Sequence, residues 1–185
     1  MRRGRARSFA MAASFMLLAP VALLGQGIYF GAGATFPTGD FGDYADTGWM
    51  GVAGVTFDIG TGGLWVGGEG FYGQNNHSDD LAPTPTEEAG AKTNPYGAMG
   101  IVGYGTGDGE SLGFYFFGGA GLLVHKYSSD VSDSVSDSNF GYQAGAGVSF
   151  PLGGSLDLWG EGRFMGASDT TFFGLLAGLS IGLGN

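Results

Sequence analysis

The chain has 185 residues with 40 glycines, 15 Phe, 8 Tyr and 3 Trp, no cysteine, and a formal net charge of −10. Glycine stands at roughly three times its usual share of about 7%. It keeps no strict Gly-x-y period, which excludes collagen, and its mixing with aromatics rather than Ser, Pro and Gln separates the chain from low-complexity disorder.

Residues 1–26 read as a cleavable signal peptide. Arg2, Arg3, Arg5 and Arg7 form a positive start, and Ala10 to Leu24 form an apolar stretch, shorter than the roughly 20 residues a spanning helix needs. The cut is expected after residue 25, 26 or 27, and without a nearby Cys the leader is not that of a lipoprotein. A single domain is expected over residues 27–185. Four of the seven basic residues leave with the leader, so Lys92, Lys126 and Arg163 remain against seventeen acids, a net charge of −14. Such a chain repels phosphates and binds no nucleic acid.

In the mature chain hydrophobicity repeats every two residues. Phe140, Tyr142, Ala144, Ala146, Val148 and Phe150 alternate with Gly141, Gln143, Gly145, Gly147 and Ser149, as in a strand between two different solvents. The pattern predicts eight strands, near 27–36, 47–59, 63–75, 94–105, 111–126, 139–151, 155–166 and 170–183. Short Gly-rich turns follow the second, fourth and sixth strands. Longer polar stretches, Pro37–Asp46, Asn76–Thr93 and Ser128–Ser138, follow the first, third and fifth. Eleven of the seventeen acids fall at the end carrying the long connections. Short turns at one end and long loops at the other are the habit of outer-membrane barrels.

Parity decides which face meets which solvent. Along the strands Asp58, Glu69, Asp157, Glu161 and Arg163 lie opposite the large apolar residues, on a face crowded with small side chains. An eight-stranded barrel has an interior just wide enough for side chains to fill it, so that face is predicted to line the lumen. The apolar face would then meet lipid, with Phe30 and Phe36, Trp49 and Phe57, Tyr96 and Tyr104, and Phe140 and Phe150 as two interfacial girdles. The uncharged run from Ser111 to Val124 becomes one full membrane strand, reaching water at His125 and Lys126.

The opening GIYFGAGATFPTGDF, Gly27 to Phe41, resembles the first strand and loop of the bacterial outer-membrane β-barrel domain superfamily, the small eight-stranded group with OmpA-, OmpX- and OmpW-like members. The fold class expected is all-β, an eight-stranded antiparallel up-and-down transmembrane β-barrel in the bacterial outer membrane. The resemblance implies outer-membrane lipid and the barrel assembly machinery as partners, and a monomer.

Several short runs carry the residue types of known sites. Gly68-Glu69-Gly70-Phe71-Tyr72-Gly73 matches a dinucleotide fingerprint but lies inside a strand, where the motif needs a strand-to-helix turn. His77-Ser78-Asp79-Asp80 holds the residue types of a hydrolytic triad, yet sequence neighbours cannot readily orient one another. Asp130, Asp133 and Asp137 form a weak cation-attracting connection without the spacing of a dedicated calcium loop. His125 is expected as a hydrogen-bonded rim residue.

Asp58, Glu69, Asp157, Glu161 and Arg163 are the predicted polar network of the lumen, since a buried arginine must be paired. No catalytic group, cofactor or metal is expected. The function read from these features is a non-catalytic integral outer-membrane protein with a mostly filled lumen and acidic outer loops. Its alternative is a narrow cation-preferring channel for small solutes, and behind that a lipid-modifying enzyme.

Overall fold

A computed structural model describes residues 26–77, 90–106, 111–129, 134–168 and 170–183. The leader through residue 25, the Ser78-Asp79-Asp80 part of the triad-like run, and Asp130 and Asp133 lie outside the described residues. Eight strands, β1 (Gln26–Thr38), β2 (Gly48–Ile59), β3 (Leu64–Asn76), β4 (Lys92–Thr106), β5 (Gly113–Ser128), β6 (Val135–Gly153), β7 (Leu156–Ala167) and β8 (Thr170–Gly182), follow one another around a closed barrel. Every neighbouring pair is antiparallel, and β1 completes the ring on β8 through pairs such as Phe36 with Phe173. Closure leaves no sheet edge within the ring to satisfy in hydrocarbon.

The alternation read from the sequence is the alternation of the wall. Phe116 is 61% exposed and Phe140 74%, while Met50 and Phe172, on the opposite parity of their strands, are fully buried. Outward aromatics collect at two levels. Toward the long connections Phe36 pairs with Phe173 and Phe173 with Phe164, while Tyr72 pairs with Tyr96. Toward the short turns Tyr104 lies against Phe116 with ring centroids 5.7 Å apart, with Phe30, Phe114 and Phe150 also exposed.

Three differences from the expected layout bear on the interior. The inward face is not uniformly small or polar. Its half toward the long connections is packed with Met50, Phe71, Met99, Leu123, Met165 and Phe172, all buried. Glycines on the same face, such as Gly141 against Leu123 and Met99, leave the room these side chains fill.

Second, the polar connection between β1 and β2 contains a 3₁₀ helix, Gly39–Asp43, whose Phe41 is 1% exposed and joins this apolar cluster. Ala45 N–H donates to Phe41 O at 3.0 Å, and Ala45 bridges His77 beyond the end of β3.

Third, β5 and β6 run beyond the expected strand ends and pair as far as Tyr127 with Val135. Asp137, expected in a loop, therefore stands on β6 opposite His125 and accepts from Asn139 Nδ2 at 2.6 Å. This stretch lies past the last β6–β7 pair, Tyr142 with Gly166. Water bathes both of its faces there, so no period-two signal marks it as strand.

His125 also departs from the expected hydrogen-bonded rim residue. Its Nε2 is buried without a hydrogen-bond partner among the described residues. The residues across the sheet are Pro95, which brings no side-chain donor, and Asp137, already engaged by Asn139. The fingerprint-like Gly68–Gly73 run lies wholly within β3 and meets no helix.

Candidate functional site: a buried guanidinium above a turn-side cavity

Arg163 projects inward from β7, and its two sheet neighbours are Gly145 on β6 and Gly174 on β8. With no side chain on either flank, the guanidinium can lie across the bore. Glu161 stands two residues earlier on the same face, as the strand period requires. Glu69 comes from β3, on the far side of the barrel, and Gln143 from β6.

These groups saturate one another. Arg163 Nη1 donates to Glu69 Oε1 and to Gln143 Oε1, the latter at 3.1 Å. Nη2 donates to Glu69 Oε2 at 2.9 Å and to Glu161 Oε1, and Nε donates to Glu161 Oε1 at 2.6 Å. All five guanidinium N–H donors have acceptors, and the contact to Glu69 is bidentate. Gln143 Nε2 donates to Glu69 at 3.3 Å. Tyr29 Oη donates to Glu69 Oε2 and Tyr115 Oη to Glu161 Oε2, each at 2.9 Å. The Phe117 ring lies 5.2 Å from Arg163 Cζ, a cation–π distance. Arg163, Glu69 and Gln143 are each no more than 3% exposed.

Inward glycines make room for the aromatic members. A β-carbon on Gly54 would sit 2.5 Å from Tyr29 Cζ, and one on Gly147 would sit 2.6 Å from Tyr115 Cζ. The same face therefore supplies large rings and the gaps that receive them.

Of the five predicted lumen residues, Glu69, Glu161 and Arg163 come together. Asp58 and Asp157 stay apart from them, near the short turns, where they line the mouth of a cavity of about 500 Å³ beneath the cluster. Tyr29, Tyr115 and Gln143 belong to the network although sequence reasoning left them out. Their shared parity with Glu69 and Glu161 was the signal available, but parity alone does not give height along the barrel. Above the cluster lies the apolar plug, reinforced by Asn75 Nδ2 donating to Thr35 Oγ1 at 3.0 Å between fully buried side chains. Among the described residues no group of three or more His, Cys, Asp or Glu is placed to hold a metal ion.

The model of the outer membrane protein beta-barrel domain family matches residues 8–181. A 22 kDa outer membrane protein of Rhizobium leguminosarum bv. viciae is 36% identical over 133 residues, 66% of this chain and 55% of the relative, so the chain spans about half that protein's length. Among solved structures, Neisserial surface protein A superposes with a TM-score of 0.60 at 15% identity, over 85% of this chain and 96% of that one. Ail, the attachment invasion locus protein of Yersinia pestis, solved with the heparin analogue sucrose octasulfate, gives 0.55 at 16% identity over 86% and 99%. Likeness at these identities is one of fold. The family match, spanning a closed eight-stranded wall with lipid-type outer faces, makes the chain a member of the outer membrane protein beta-barrel domain family, embedded in the lipid of the bacterial outer membrane.

Proposed function

We propose that the protein is a non-catalytic, monomeric barrel with a structural or surface-interaction role and a lumen closed to solutes. The observation that carries this reading is the filled bore, with the apolar cluster from Phe41 to Leu176 stacked on the Arg163 cluster. Desolvation by the apolar layer and fixed ion pairs below it both oppose an ion pathway. Planar-bilayer recording of the purified, folded protein is expected to give no unitary conductance steps. Regular cation-selective steps would overturn the closed lumen and favour the narrow channel.

The surface role rests on charge geography. Acidic residues gather at the long-connection end, where Asp130, Asp133 and Asp137 would attract solvent cations weakly. A sulfated ligand such as the one bound to Ail finds no complement on so acidic an end, so the partner proposed there is cationic or neutral. Residues 1–26 act as the export leader in this reading, and the barrel assembly machinery inserts the domain.

A further inference from the structure

We infer that the cavity at the short-turn end is a binding site for a small aliphatic polyamine presented from the periplasm, a step beyond the closed-lumen reading that also holds if the lumen conducts. The cavity measures about 500 Å³, inside the range of small-molecule sites, and opens among the turns that face the periplasm in barrels of this kind.

Its walls are aromatic on two sides. Trp65, Phe117 and Tyr115 form one continuous face, with centroids 6.4 Å apart between Trp65 and Phe117 and 6.2 Å between Phe117 and Tyr115. Tyr29 and Trp159, packed edge to face at 6.1 Å, form the other.

The charges of the cavity are unbalanced. Asp58, Asp157, Glu69 and Glu161 line it against one guanidinium, and that guanidinium has no donor left to give. The only other basic residues beyond Arg7 are Lys92 and Lys126. Lys92 begins β4 and Lys126 lies near the outer end of β5, so both stand at the opposite end of the barrel from Asp58 and Asp157.

This combination selects among ligands. Anions are repelled by the carboxylates. A neutral sugar would leave the rim carboxylates without a cation, and an inorganic cation would make no use of the ring faces. An alkylammonium uses both, its charge held by carboxylates and ring faces and its methylenes by the aromatic walls. More than one ammonium along a flexible chain can answer Asp58 and Asp157 together with the surplus carboxylate charge on the floor.

The test uses the full chain refolded in detergent, with folding checked by the mobility shift between unheated and boiled samples. In Trp49→Phe, where Trp49 faces outward, the remaining indole fluorescence comes from Trp65 and Trp159, both cavity-lining. Spermidine at fixed ionic strength is expected to change that fluorescence saturably. Adding Asp58→Asn and Asp157→Asn should weaken binding about tenfold, and Ser180→Lys, which tethers an ammonium in the cavity, should abolish it. Asp40→Asn with Asp43→Asn, at the far end, should leave it unchanged. No saturable response up to millimolar spermidine overturns the proposal. So does an equal response to magnesium at the same ionic strength, or unaltered binding in folded Ser180→Lys.

Discussion

Arg163 is the residue on which the interior turns. It is surrounded by Glu69, Glu161 and Gln143, each held by at least one further group. Removing one partner from a buried ion cluster costs more than the cluster contributes, because the remaining charges lose both water and partner. Arg163→Ala is expected to lower stability by about 3–5 kcal/mol, read as a fall in the urea midpoint of the folded barrel in lipid vesicles. Combining Arg163→Met with Glu69→Gln and Glu161→Gln should recover most of that loss, since no charge is then stranded. Were the triple variant as unstable as Arg163→Ala, packing of the guanidinium rather than its charge would be the dominant contribution. Gln143 shows why single residues were harder to assign than faces. Nothing in its local sequence distinguishes it from the serine and glycines that share its side of β6, yet its amide bonds both Arg163 and Glu69.

At the level of strands, glycine has two uses that look identical in sequence. Inward Gly54 receives the Tyr29 ring, whereas a β-carbon on outward Gly68 would meet nothing within 4 Å. Gly54→Ala should therefore push Tyr29 off Glu69 and cost about 1–3 kcal/mol, as overpacking does, while Gly68→Ala should fall within about 0.5 kcal/mol of the parent. The two urea midpoints measured side by side check this, and equal midpoints would mean the inner wall yields without cost. The strands also differ in how far they project. β5 and β6 continue past the last pairing of β6 with β7, carrying Ser136, Asp137 and Ser138 out on an extension backed by β4, which pairs with β5 as far as Lys92 with Ser128. The bilayer demands only about 9–11 residues of each strand. The surplus in β6, which has 19, is free to be polar, and the residues expected as loop are strand for that reason.

For the whole barrel the decisive assignment is which face meets hydrocarbon. Leu175 points outward from β8 and is 52% exposed, and in a bilayer that exposure is contact with lipid. Leu175→Arg is expected to destabilise the barrel by about 2–4 kcal/mol in vesicles, and Phe140→Arg, near the outer girdle, by about 0–1 kcal/mol. Urea titrations in the same lipid give both values. A similar small cost at both positions would mean that Leu175 does not lie deep in the hydrocarbon. The molecule is also polarised along its axis. Its outer half is an apolar plug that includes Phe41, its middle an ion cluster of two carboxylates around one guanidinium, and its inner end an acidic aromatic cavity.

What could be read directly from the chain was whatever the contrast between two solvents writes locally. Period-two alternation marked eight strands and their inward faces, and it put Asp58, Glu69, Asp157, Glu161 and Arg163 on one side of the wall. The long and short connections fixed which end was which. Height along the axis was not legible. It depends on register accumulated around the closed ring, so only the tertiary structure brought Glu69 to Arg163 across 94 positions of sequence and left Asp58 and Asp157 at the mouth. The same holds for Phe41, an apolar residue in a polar connection, which became a plug only because the 3₁₀ turn carried it back over the bore. Alternation reports the medium on each side of a strand, and closure alone decides which side chains share a level inside it.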